Sequence, residues 1–138
     1  MLKTLMQVVA LLFFLAGGSY AQEAVFVGNV PLPGDAIEPG TANSEFVGTW
    51  VGQWDGWRNH ILVVERVKPD GFADVIYAVG NDFNARGRWF RRQAKVEGKT
   101  LVFSDDGFPA RYLMSGSGRI RGVFGADAGF AVLQRQDL

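Results

Sequence analysis

His60 is the single histidine of this chain, and it stands close to Asp55, Arg58 and Asn59. An imidazole among a carboxylate, a guanidinium and an amide could serve as a general acid or as a polar binding cluster. The alternative is a rim histidine in a polar turn. Trp54 and Trp57 lie on either side of Asp55-Gly56, and Tyr77 and Trp89 lie on either side of the longest loop expected after residue 57. Their rings could stack on a partly apolar ligand, or they could be core. Arg86, Arg88, Arg91, Arg92 and Lys95 form the one concentrated charge feature. In an extended strand Arg91, Gln93 and Lys95 share a face with Trp89, while Arg88 and Arg92 share the other with Phe90, Ala94 and Val96. Either face could be the outer one.

Other chemistries find no support in residue type or spacing. The chain has no cysteine, so neither disulfides nor thiolate ligands are available, and no His/Asp/Glu cluster has the spacing of a metal site. Ser115-Gly-Ser-Gly118 lacks the strand-turn-helix setting of a nucleophile elbow and reads as a turn. Gly122-Val-Phe-Gly125 is not followed by a helix that could bind phosphate. No cofactor, metal or catalytic residue is therefore expected, and the chain is expected not to be an enzyme. The 14 basic and 14 acidic residues cancel, which argues against nucleic acid as a partner, since phosphate binding needs a concentrated basic surface. Their distribution is uneven. Residues 22–57 hold Glu23, Asp35, Glu38, Glu45 and Asp55 and no Lys or Arg, so an acidic arm precedes a mildly basic domain.

The elements that must position the candidates begin after an export signal. Lys3 precedes an apolar run from Val8 to Ala16, and Ser19-Tyr20-Ala21 supplies a small-residue cleavage site before Gln22. The run is shorter than the roughly 20 residues needed to cross a bilayer. Residues 1–21 are thus expected to be removed, leaving no transmembrane segment and an exported protein, periplasmic or secreted. Residues 22–45 carry Gly28, Pro31, Pro33, Gly34, Pro39 and Gly40, which interrupt any period and predict a flexible acidic linker. Residues 46–138 suit one domain.

From Phe46 onward short β-rich runs alternate with Gly and Asp turns at the roughly 8–12-residue spacing of sandwiches and barrels. Eight strands are expected: Phe46–Trp54, Asn59–Lys68, Phe72–Val79, Gly87–Val96, Lys99–Ser104, Pro109–Met114, Arg119–Gly125 and Phe130–Arg135. Asp55-Gly56 suits a turn with positive φ at both centres, across which Trp54 and Trp57 should pair. All links but one are of hairpin length, so the fold class is all-β, an antiparallel up-and-down meander. Its closure into an eight-stranded barrel would leave no free edges.

Phe46-Val47-Gly48-Thr49-Trp50 on the first strand, with Arg135 on the last, resembles the Gly-x-Trp and C-terminal Arg signature of the calycins, which include lipocalins, fatty-acid-binding proteins and avidins. The resemblance implies that Trp50 seals one end of the barrel and Arg135 packs over it. It also implies that an arginine such as Arg88 or Arg92 could face the cavity as counter-ion to an acidic head group, as in fatty-acid-binding barrels. A barrel of this size is either filled by its own side chains or holds one small ligand. The expected function is an exported binding module for a small apolar or acidic ligand at the barrel mouth. Its candidate site residues are Trp54, Trp57, His60, Tyr77, Arg88, Trp89 and Arg92. The alternative is a filled barrel that binds an envelope protein, for example as a periplasmic protease inhibitor.

Overall fold

Asp55 and Gly56 have φ of 51° and 78°, the pair of positive values that matches the twist of an antiparallel hairpin. The Trp57 amide donates to the Trp54 carbonyl at 3.1 Å and closes the turn. The computed structural model describes residues 25–36, 44–103, 108–126 and 128–136. The expected export signal at 1–21 lies outside these residues, as does the turn at Asp105-Asp106-Gly107.

Among the described residues the chain forms β1 (Val25–Val27), β2 (Val30–Leu32), β3 (Gly48–Trp54), β4 (Arg58–Val67) and β5 (Phe72–Val79). These are followed by β6 (Arg88–Glu97), β7 (Thr100–Phe103), β8 (Ala110–Gly116), β9 (Arg119–Phe124) and β10 (Gly129–Arg135). Strands β3 to β10 close into an eight-stranded antiparallel barrel in sequence order, with β10 returning to pair with β3. The eight expected strands are all present, their ends moved by a residue or two.

Alternation fills the barrel. Trp50, Leu62, Val64, Val75, Leu101, Tyr112, Ile120 and Leu133 are all buried in one internal cluster, each on the face that the period of two turns inward. The closing seam pairs Arg135 with Trp50. The Arg135 guanidinium lies 4.4 Å from the centre of the Trp50 ring and donates to the carbonyls of Val47 and Glu45. The Trp50 indole N–H donates to the Phe46 carbonyl at 2.9 Å. Gly48 makes room for this: its φ is +147°, and a Cβ there would fall 2.5 Å from the Arg135 guanidinium.

Two expectations need correction. Residues 25–32, expected to be part of a flexible linker, form a hairpin packed on the outside of the barrel. Val30 and Leu32, with Val27 and Ala36, cover Ile61, Val63, Ile76, Ala78 and Trp89 in a second apolar cluster. The reason lies in β4 and β5, which are apolar on both faces and so need an outer cover. Gly28-Asn29 between two short apolar runs is a hairpin signal, and Pro31 is tolerated because β2 is in a two-stranded edge sheet. Secondly, Trp54 does not pair with Trp57. Trp57 falls between turn and ladder, so Trp54 opposes Arg58; Trp54 points inward and Trp57 is 49% exposed.

Replacing Arg135 with Ala removes the donors of two backbone carbonyls and the cation over Trp50, and should cost about 2 kcal/mol. The shift of the urea midpoint measures this. Arg135→Lys should recover only part of it, because an ammonium lacks the planar fork that reaches both carbonyls while covering the ring.

Candidate ligand site at the barrel mouth

Register decides which candidates meet. Tyr77 on β5 pairs with Phe90 on β6, Val79 pairs with Arg88 and Val75 with Arg92, so Arg88, Phe90 and Arg92 face inward with Tyr77. Trp89 opposes Ala78 and must face the other way. It lies under the hairpin in the outer cluster, with the Arg91 guanidinium 5.6 Å from its ring centre. Trp89 is therefore no part of the barrel interior, which corrects its place in the candidate set.

At the end of the barrel opposite Trp50, the inward residues enclose a cavity of about 250 Å³. Its walls are aromatic: Trp54, Tyr77, Phe90, Phe108 and Phe124. Tyr77 stacks on Phe90 at 5.1 Å and 17°, and Phe108 meets Tyr77, Phe90 and Phe124 edge-on. Arg58, Arg88, Asp55 and Trp57 form the rim. Arg58 pairs with Asp82 at 3.2 Å, which ties the rim to the β5–β6 loop. Asp55 accepts from the Phe130 amide at 3.0 Å. Arg92 lies further in, 4.7 Å from the Phe90 ring centre and 5.2 Å from that of Phe108.

His60 is on neither the rim nor the open surface. It is fully buried beneath the cavity, stacked on Trp54 at 5.2 Å and 4.5 Å from Tyr77. Nδ1 lies 2.6 Å from the Ala78 carbonyl and Nε2 lies 2.7 Å from the Tyr112 hydroxyl. A carbonyl only accepts, so Nδ1 carries the proton and Nε2 accepts from Tyr112. Both ring nitrogens are thereby engaged without a carboxylate. Burial drives the imidazole pKa down to about 4, helped by the Arg58 charge and opposed by the bond to Ala78. Burial likewise pushes the Tyr77 phenol up to about 12, against the pull of the Trp54 indole N–H and of Arg58 and Arg88. The indole N–H lies near that phenol but completes no hydrogen bond: Trp54 Nε1 is a buried donor without a partner in the wall of the cavity.

The structure thus brings together Trp54, Trp57, Tyr77 and Arg88 around the cavity, with Arg92 packed on two of its walls and His60 beneath it, and it separates Trp89. The sequence reading missed Phe90, Phe108, Phe124 and Tyr112. Phe90 shares a face with Arg88 and Arg92 in the sequence, but only its pairing with Tyr77 turns that face inward. Phe108 and Phe124 come from distant strands or loops, and only the closed register places them. Among the described residues no group of three His, Asp or Glu could hold a metal ion. No family model, curated protein or solved structure matches this chain. The fold and site define a closed antiparallel barrel with one sealed end and one aromatic-lined mouth.

The depressed His60 pKa sets a pH dependence of stability. Between pH 6.5 and about 4 the unfolded chain takes up a proton that the folded chain refuses. Stability therefore falls as pH drops through that window, by on the order of 3 kcal/mol. Urea midpoints at pH 7 and pH 4 give the loss, and His60→Gln should lower stability at pH 7 while removing this part of the slope. An equal slope in both proteins would mean that His60 is not the titrating group.

Proposed function

We propose that this chain is an exported, calycin-like binding protein whose barrel mouth holds one small anionic or hydrogen-bond-accepting ligand with an apolar ring or short chain. The observation that carries the reading is the chemistry of the cavity: aromatic walls with polar groups that are mostly donors. Trp54 Nε1, the Tyr77 hydroxyl, Arg58 and Arg88 all offer N–H or O–H. The volume of about 250 Å³ limits the size. A cavity of about 150 Å³ takes benzene and drug-sized ligands fill roughly 300 Å³ or more, so a single-ring carboxylate fits and a long-chain fatty acid does not. The calycin reading is supported by Gly48, Trp50 and Arg135, whose contacts seal the far end as that signature implies. Export is supported by Lys3, the Val8–Ala16 run and Ser19-Tyr20-Ala21. The reading is of a binder without turnover.

A second reading, a module that docks on an envelope protein, draws on Phe83. This residue is 92% exposed and its ring lies tilted against Trp57, 5.1 Å between centres, an apolar pair displayed beside the mouth.

Tryptophan emission of the chain from Gln22 onward, followed during addition of benzoate, phenylacetate and palmitate, tests the first reading. The single-ring acids should give a saturable change at micromolar concentration, and Arg88→Ala should weaken it about tenfold, or about 1.4 kcal/mol. Silence with all three acids would sink the ligand reading and favour the protein-docking one.

A further inference from the structure

The mouth has a support that lies outside the barrel. Asn29, at the tip of the β1–β2 hairpin, enters a notch between Gly80 and Gly87, the two residues at the ends of the β5–β6 loop. A Cβ on Gly80 would fall 2.1 Å from the Asn29 side-chain oxygen, and one on Gly87 would fall 2.6 Å from the Asn29 carbonyl oxygen. No other residue type leaves room there. The Asn59 side-chain nitrogen Nδ2 donates to the same Asn29 side-chain oxygen at 3.0 Å, next to Arg58 in sequence.

What stands on this notch is the rim of the cavity. Arg58 donates to the Gly80 carbonyl at 3.3 Å, and the Gly80 amide donates to the Asn59 carbonyl at 2.8 Å. Within the loop, Asn81 accepts from the Gly87 amide at 2.7 Å, and Asp82 accepts from the Asn84 and Ala85 amides while pairing with Arg58. Arg88, a cavity-lining residue, follows Gly87 directly. The loop is thus internally tied, and it is joined to the barrel by the Asp82–Arg58 pair and at the two glycines that clasp Asn29.

The hairpin is held by separable contacts. Val30 is buried against the outer cluster, and Asp35 pairs at 3.1 Å with Arg91, which also reaches Glu65 at 3.5 Å. We propose that the N-terminal hairpin is a positioning element for the barrel mouth: Asn29, seated between Gly80 and Gly87, sets where the β5–β6 loop and with it Arg58 and Arg88 stand. Asn29 touches no cavity space itself and acts through the loop. The ligand consequence rests on the binding reading above, whereas the ordering of the loop does not. Because coupling between two sites is reciprocal, a ligand that uses Arg58 and Arg88 also tightens the seat of the hairpin.

The experiment uses the chain from Gln22 onward, as wild type, Asn29→Ala and Val30→Asp, the last placing a charge in the apolar seat. Amide hydrogen exchange without ligand compares Gly80 and Gly87 with the barrel amides of Leu62 and Leu133. Exchange at the two glycines should accelerate about tenfold or more in Val30→Asp and less in Asn29→Ala, with the barrel amides unchanged. Benzoate affinity by tryptophan emission should fall at least about fivefold in Val30→Asp. Glycine amides as protected in both variants as in wild type would overturn the proposal. So would faster exchange with unchanged benzoate affinity, which would leave the hairpin a cover for the outer cluster and nothing more. If wild type itself binds no benzoate, the binding reading falls separately, and the exchange rates alone decide whether the hairpin orders the mouth.

Discussion

Closure of the sheet on itself is the constraint from which the rest of this structure follows. β10 must return to β3, and the pairing of Arg135 with Trp50 is where the ring is locked. The guanidinium covers the indole and donates to backbone carbonyls of the segment entering β3. That contact both shuts one end of the barrel and fixes the register of the closing seam. A shift of one residue there would turn every inward side chain of β10 outward. The inner face of each other strand is set around the ring from this seam.

Closure also explains why the interior is divided. Near Trp50 the inward positions carry Leu62, Val64, Leu101, Ile120 and Leu133, which fill the space with aliphatic packing. Toward the mouth they become aromatic, and rings meeting edge-on leave space that branched aliphatics would fill. The boundary between the halves is the His60–Tyr112 pair, whose hydrogen bonds satisfy two polar groups in a setting that excludes water. A cysteine-free chain has no covalent staple to fall back on, so apolar burial and hydrogen bonds such as these hold the interior together.

The outer surface follows from the same strands. β4 and β5 are apolar on both faces, which a barrel open to solvent cannot tolerate, and the β1–β2 hairpin supplies the missing layer. Glu65, buried at the β4 bulge, is reached by Arg91 from β6, and Arg91 also holds Asp35 from the hairpin segment. One arginine thus joins barrel and cover on the side remote from the seam.

Local chemistry in the sequence determined the strands, their antiparallel order and the turns between them, because alternation and turn residues such as Asp55-Gly56 act over a few residues. Resemblance to the calycin signature marked Gly48, Trp50 and Arg135 as a set. The two faces of β6 stayed equivalent in the sequence, since a period of two gives two faces and no sign. Pairing of Tyr77 with Phe90 broke that tie, sending Arg88 and Arg92 in and Trp89 out. The hairpin was obscured by its prolines, and its stability comes from an apolar surface on β4 and β5 that exists only once the barrel has formed. His60 looked like a titrating group in a polar turn. Tertiary structure keeps it neutral down to about pH 4, because the second proton a free imidazole takes up below pH 6.5 cannot be accommodated where Trp54, Tyr77 and Tyr112 pack around the ring.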